Sequence, residues 1–223
     1  MSLLARSAPL PGVLVMARAL RVHAARPALE PVLGPERCAA LERLLLGRAV
    51  RWGLELPPGR VIVAHDPADS EPALRTVVAD EAELLAQRGD GVTARVTAAC
   101  AHAFDSGSAP VLIIWPDLPR WRRELALGAL GDLADGCAVS VGPVFDGGFY
   151  LLALPGSVSW LATLPECTWA GHEAMGLAIA AARDLRGEAG MLRAERALRR
   201  PDDVRAALAD PLLDAELAAI LRR

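Results

Sequence analysis

A chain of 223 residues is long enough for one domain with a substantial core, and its formal charge of -3 offers no basic face to a nucleic-acid backbone. No apolar run approaches the ~18 residues of a membrane span, so neither nucleic acid nor membrane is expected as a partner. With 53% hydrophobic but only 4% aromatic residues, the composition fits helices packed on a sheet, an α/β class.

Residues 12–17 (GVLVMA) form a short continuous apolar run, the mark of a parallel strand buried on both faces. Arg18 interrupts it too early for a signal-peptide core, and a cytoplasmic protein is expected. Gly34-Pro35-Glu36 opens a helix in which Cys38, Leu41, Leu45, Ala49 and Trp52 recur at helical spacing before Gly53. Residues 60–65 (RVIVAH) read as a second buried strand, residues 70–78 as a short helix, and residues 92–104 as a helix with Val96, Ala99, Cys100 and Ala103 on one stripe. Residues 110–115 (PVLIIW) carry the strongest strand signal, with Asp117 just beyond the carboxyl end. A helix over 119–134, strands over 137–142 and 148–154, a helix over 171–185, an edge strand near Met191, and two short helices after Pro201 and Pro211 complete the series. Strands alternating with helices predict a mostly parallel central sheet flanked by helices, in one domain over 12–210 with a C-terminal helix in 211–223. In such sheets ligands bind outside the carboxyl ends of the strands. Asp117 and Asp146 both follow strands and meet at one crevice if those strands are neighbours.

Cys38, Cys100, Cys137 and Cys167 form no C-x-x-C pair, which suggests neither a zinc site nor a disulfide framework but buried small hydrophobes. The chain has no Lys and no Asn, which excludes a Walker-type lysine and a lysine Schiff base. His65, His102 and His172 show no ligand spacing to one another, and His23 stands alone in a polar loop.

Four stretches in order, spanning roughly residues 12 to 205, carry a resemblance to a known family. "MARALRVHAARPALEPVLG" keeps Ala17, Leu29, Pro31, Leu33 and Gly34 of a segment that runs Ala-Lys-x-Pro and ends in Leu-Gly; "VLIIWPDLP" keeps Asp117 and Pro119 of a strand ending Gly-Ser-Asp-x-Pro. "GPVFDGGFYLLAL" is close to Gly-Pro-x-x-Asp-Gly-Gly-Tyr-Tyr-Leu, and "RRPDDV" keeps Pro201 and Asp203 of Asp-Thr-Pro-x-Asp-Leu. The chain resembles the glycosyltransferase-like proteins related to the guanylyltransferases of deazaflavin-cofactor and molybdenum-cofactor synthesis, which share the nucleotide-diphospho-sugar transferase fold, also called GT-A. The resemblance implies nucleotidyl or glycosyl transfer from a nucleoside triphosphate or nucleotide sugar. It places Mg²⁺ or Mn²⁺ on Asp117 and Asp146, phosphates on Arg18 and Arg26, and Gly147 and Gly148 where backbone approaches the nucleotide.

The chain departs from that pattern. Arg18 and Arg26 stand for lysines, His23 for a Gly, Pro27 for a Thr and Ala28 for an Arg in the opening loop. Trp115-Pro116 replace Gly-Ser, and Arg199 lies where the last motif carries an acid. An alternative therefore stands beside the transferase: a catalytically degenerate relative with a binding or partner role. Residue by residue, Asp117 reads otherwise as the cap of the Pro119 helix, Asp146 as a turn acid, Trp169 as a helix-start anchor, and Arg120, Arg122 and Arg123 as a solvated face. An edge strand near Met191 is available for a homo-oligomer, though nothing in the sequence forces one.

Overall fold

The computed structural model describes residues 10–18, 20, 26–56, 59–158, 161–169, 173–184 and 187–222. Its strands are β1 (Leu10–Ala17), β2 (Arg60–His65), β3 (Glu83–Ala86), β4 (Ser108–Ile114), β5 (Val139–Pro143), β6 (Phe149–Leu154) and β7 (Ala189–Met191). They form one sheet in the order β3-β2-β1-β4-β6-β5-β7, and of these β6 alone is antiparallel to its neighbours.

The helices are α1 (Glu30–Leu33), α2 (Pro35–Leu54), α3 (Glu71–Leu74), α4 (Gly91–Asp105), α5 (Arg123–Ala134), α6 (Ala174–Asp184), α7 (Pro201–Leu208) and α8 (Ala215–Leu221). The two-residue period of a strand divides the core. Val13, Val15 and Ala17 of β1 join Leu46, Ala49 and Val50 of α2 and Leu125, Ala126 and Ala129 of α5 on one face. Leu14 and Met16 join Val96, Ala99 and Cys100 of α4 and Ala174, Ala178 and Ala182 of α6 on the other. Both faces of the strands are thus covered, which is why they read as unbroken apolar runs. A third cluster packs the outer side of α2, through Cys38, Leu41 and Leu45, against Val204 of α7 and Leu217 and Leu221 of α8.

β3 was not expected from the sequence: its four residues are only half-buried at the sheet edge, and Glu83 spends its side chain on His102, 2.6 Å away. The 119–134 helix begins later than Pro119 suggests. The chain stays extended through Arg122 because Trp121 stacks on Trp52 with ring centroids 4.8 Å apart, while Trp52 Nε1 donates to the Arg122 carbonyl. Cys38 and Cys100 are buried as expected, but Cys137 is half-buried and Cys167 exposed. No helix among the described residues is long and apolar enough to cross a membrane.

Candidate functional site

Because β6 runs antiparallel to β4, the carboxyl end of one lies beside the amino end of the other, with Ile114 opposite Leu151. Asp117, just after β4, and Asp146, just before β6, meet at that edge through topology. The cap reading of Asp117 fails, since α5 starts at Arg123 and Arg122 occupies its cap position. Asp146 keeps its turn role, accepting the Gly148 N–H at 3.1 Å, and also faces the crevice.

Between the two acids stands Arg199. Its Nε donates to Asp117 Oδ2 at 2.8 Å, its Nη1 reaches Asp146 Oδ1 at 3.5 Å, and its Nη2 donates to the Phe149 carbonyl at 3.1 Å. The backbone aims it: Asp203, in the first turn of α7, accepts the N–H groups of Arg199 and Arg200 at 3.2 and 2.9 Å, and Leu198 N–H donates to the Asp117 carbonyl at 2.8 Å. Pro201 and Asp203 therefore serve to turn this segment into the site.

Arg26 does not line the crevice. It is 3% exposed, with Nε 2.7 Å from Glu42 Oε2, Nη1 donating to the Leu198 carbonyl at 2.6 Å, and Nη2 donating to Asp117 Oδ1 at 3.1 Å. Where a phosphate ligand was expected, the structure places a buried fastener of carboxylates and backbone. Glu42 lies on the apolar stripe of α2 at 1% exposure.

Burial by itself would raise the Asp117 carboxyl, but the Arg26, Arg18 and Arg199 guanidinium groups outweigh it and hold it well below the usual carboxylate range. The folded value is depressed, so Asp117 contributes stability above an unfolded pKa of about 3.9 and loses it as pH falls through that value toward the folded one. Glu42, which burial pushes up against the pull of Arg26, acts with the reverse sign: its contribution is present below an unfolded value of about 4.3 and fades as pH rises. Urea midpoints measured from pH 3 to 7 are expected to fall on the acid side in the native protein and to fall less steeply in Asp117→Asn. Equal slopes would remove Asp117 from the acid response.

The two glycines expected at a ligand shape the protein itself. Gly147, at φ 90°, makes the turn, donating to the Val144 carbonyl at 3.1 Å and accepting from Met175 N–H at 3.1 Å. A Cβ on Gly148 would lie 2.8 Å from Arg199 Nη1, so the missing side chain is what lets the guanidinium in.

The crevice is a cavity of about 680 Å³ at the carboxyl ends of β1, β2, β3 and β4, bordered there by Ala17, Asp66, Gln87 and Trp115. Arg18, Asp146 and Arg199 are on its wall, so of the six predicted site residues two line it, Asp117 and Arg26 sit buried behind it, and Gly147 and Gly148 form the adjoining turn. Sequence reasoning missed Arg95, Glu166 and Arg200 and assigned Trp169 only a packing role. Glu166 accepts the Val92 and Thr93 N–H groups at 2.7 and 3.0 Å, closing the amino end of α4; those hydrogen bonds lower its carboxyl. Trp169 Nε1 donates to Thr93 Oγ1 at 2.7 Å, and its ring packs with Trp115 and Phe149 at centroid distances of 5.9 and 6.2 Å. His23 and His172 lie outside the described residues. A second cavity of about 390 Å³, walled by Pro119, Leu198, Leu213 and Leu217, holds none of the predicted residues. Among the described residues no group of three or more His, Cys, Asp or Glu side chains is placed to hold a metal ion.

The chain is similar over 95% of its length to 94% of the crystal structure of a "putative nucleotide-diphospho-sugar transferase" from Desulfovibrio desulfuricans G20, at 21% identity and a TM-score of 0.81. It is similar at 16% identity and a TM-score of 0.55 to CMP:2-keto-3-deoxy-manno-octonic acid synthetase complexed with CTP, covering 89% of this chain and 98% of that one. Rv0371c from Mycobacterium tuberculosis H37Rv in complex with manganese matches at 17% identity and a TM-score of 0.53, over 91% of this chain and 99% of that one. At these identities the likeness establishes the fold. No curated protein matches the chain by sequence. A family model described as "Uncharacterized protein conserved in bacteria (DUF2064)" matches residues 51–170, more than half of the chain. The chain belongs to the DUF2064 family, and its seven-stranded sheet flanked by helices has the same fold as the solved "putative nucleotide-diphospho-sugar transferase".

Proposed function

We propose that the cavity binds the phosphates of a nucleotide or nucleotide sugar, and that the protein is a transferase of nucleotidyl or glycosyl groups. The observation that carries this reading is the gathering of Arg18, Arg199 and Arg200 on the wall of one cavity at the carboxyl ends of the parallel strands. Guanidinium groups match phosphate oxygens with paired N–H donors. Arg199 has five N–H bonds and uses three on Asp117, Asp146 and Phe149, which leaves one on each Nη nitrogen. The half-buried rings of Trp115 and Trp169 give the same cavity a flat apolar wall for a base, sugar or acceptor. A neighbour of the same fold was solved with CTP, which supports a nucleotide as the ligand to try first.

A divalent cation, implied by the fold family and present as manganese in one neighbour, does not fit the acids as they stand. Both oxygens of Asp117 are engaged by guanidinium groups, the residue is 2% exposed, and Arg199 fills the space toward Asp146. The same arrangement favours the second reading, a ligand-binding relative without turnover, since the carboxylates on the wall are already engaged: Asp66 by Arg95, Asp146 by Arg199, and Glu166 by the Val92 and Thr93 N–H groups.

Titration calorimetry with each nucleoside triphosphate and several nucleotide sugars tests the proposal, with tryptophan fluorescence followed in parallel because Trp115 and Trp169 line the cavity. Saturable binding of at least one compound, with a change in emission, is the expected result. Silence across the panel would remove the nucleotide reading. Binding without product formation for any acceptor tried would select the non-catalytic one.

A further inference from the structure

We infer that Arg199 is a built-in counter-ion that takes the place of a divalent metal between Asp117 and Asp146, so that this site binds phosphate without a metal. The phosphate half rests on the cavity reading above; the counter-ion half stands on its own geometry. Two carboxylates brought together at one sheet edge, one on the crevice wall and one buried behind it, need a positive charge between them. The guanidinium supplies it from within the chain, 2.8 Å from Asp117 and 3.5 Å from Asp146.

Arg199 is not a surface side chain that happens to fall there. Its own N–H is held by Asp203, the preceding Leu198 N–H is held by the Asp117 carbonyl, its Nη2 is fixed on the Phe149 carbonyl, and Gly148 lacks the Cβ that would crowd its Nη1. Four separate features, from α7, the turn after β4, the start of β6 and the 144–148 turn, converge on one group. Arg26 adds a second fixed guanidinium on Asp117 from the buried side. A hard dication needs carboxylate or phosphate oxygens at short range in a nearly octahedral shell. Here those oxygens are taken, and a fixed cation stands beside them.

The consequence is chemical. A metal presents exchangeable ligands to phosphate, whereas a guanidinium presents N–H donors in a fixed plane and stays charged across the accessible pH range. Ligand phosphate held by Arg199, Arg18 and Arg200 is therefore expected to bind equally well with and without divalent cations.

The test has two arms. Mn²⁺ alone is titrated, followed by electron paramagnetic resonance, into the native protein and into Arg199→Asp and Arg199→Gln, each checked for folding by circular dichroism. The native protein is expected to bind no Mn²⁺ at the acid pair. The variants are expected to gain binding at least about tenfold tighter, reversed by a further Asp146→Asn. The glutamine variant keeps the experiment decisive should the aspartate variant not fold. Mn²⁺ binding by the native protein that Asp146→Asn abolishes would overturn the proposal, as would Arg199 variants that fold and gain nothing.

In the second arm, pyrophosphate is titrated into the native protein with EDTA and then with Mg²⁺. Dissociation constants agreeing within about twofold are expected, and binding only with Mg²⁺ would overturn the proposal. No pyrophosphate binding under either condition overturns the phosphate half together with the proposed function, while the Mn²⁺ arm still judges the counter-ion.

Discussion

Replacing Arg26 with methionine is expected to destabilise the protein by roughly 3–5 kcal/mol, the range for breaking a buried ion pair from one side. The side chain is closed to solvent, yet it neutralises Glu42 and half of Asp117 and accounts for the Leu198 carbonyl. Methionine fills most of the volume, so the loss comes from charge and hydrogen bonding rather than from a cavity. It leaves Glu42, 1% exposed, with no cation in contact among the described residues. Urea unfolding at pH 7 measures the effect, and a loss below about 1 kcal/mol would show that these acids find other partners or take up protons at little cost. Adding Glu42→Leu to Arg26→Met should recover part of the loss, because apolar groups tolerate burial that a lone carboxylate does not. The double-mutant cycle then gives the coupling directly.

Gly142→Ala is expected to cost about 1–3 kcal/mol by overpacking, although it adds only a methyl group. Gly142 sits in β5 beside β6, and a Cβ there would run into the ring of Tyr150, which is fully buried. The ring has little freedom to retreat: Trp121 packs edge-on at a centroid distance of 6.1 Å and the hydroxyl donates to the Arg193 carbonyl at 3.3 Å. Tyr150→Leu should relieve the clash, so that the two substitutions together cost less than the sum of each alone. Additive costs would mean the methyl group is accommodated by the strands moving apart. The glycine that opens the Gly-Pro-x-x-Asp-Gly-Gly stretch therefore answers to an aromatic ring rather than to a ligand.

The parallel strands were legible in the sequence because burial on both faces leaves no polar alternation to confuse them: residues 12–17, 60–65 and 110–115 needed no context. β3 was not, since a four-residue edge strand containing Glu83 carries neither a run nor a period. The start of α5 was displaced because Pro119 looks like a first helical residue, while the packing of Trp121 on Trp52 that keeps the chain extended joins residues far apart in sequence.

At the site, the acids were legible as residues that follow strands, but the route to their meeting was not: β4 and β5 are not neighbours, β6 lies between them, and Asp146 reaches Asp117 from the start of β6. The burial of Arg26 was not legible in a loop sequence, although one signal pointed to it. Glu42 occupies the same helical stripe as Cys38, Leu41 and Leu45, and an acid on an apolar stripe requires a cation from elsewhere. Arg95, Glu166 and Trp169 come together through tertiary packing between α4 and the 161–169 segment, which no local pattern announces.

The links from Arg26 to Leu198 and from Leu198 to Asp117 span 172 and 81 positions along the chain, and Arg199 closes the gap between acids at 117 and 146. During synthesis the amino-terminal strands can pair and bury their apolar faces while residues 195–203 are still inside the ribosome. Until that segment emerges, Asp117 and Asp146 lack one of their counter-charges. The cavity wall that Arg199 and Arg200 supply is thus completed only after the strands have paired, and the phosphate binding proposed above is expected to wait for that segment to dock.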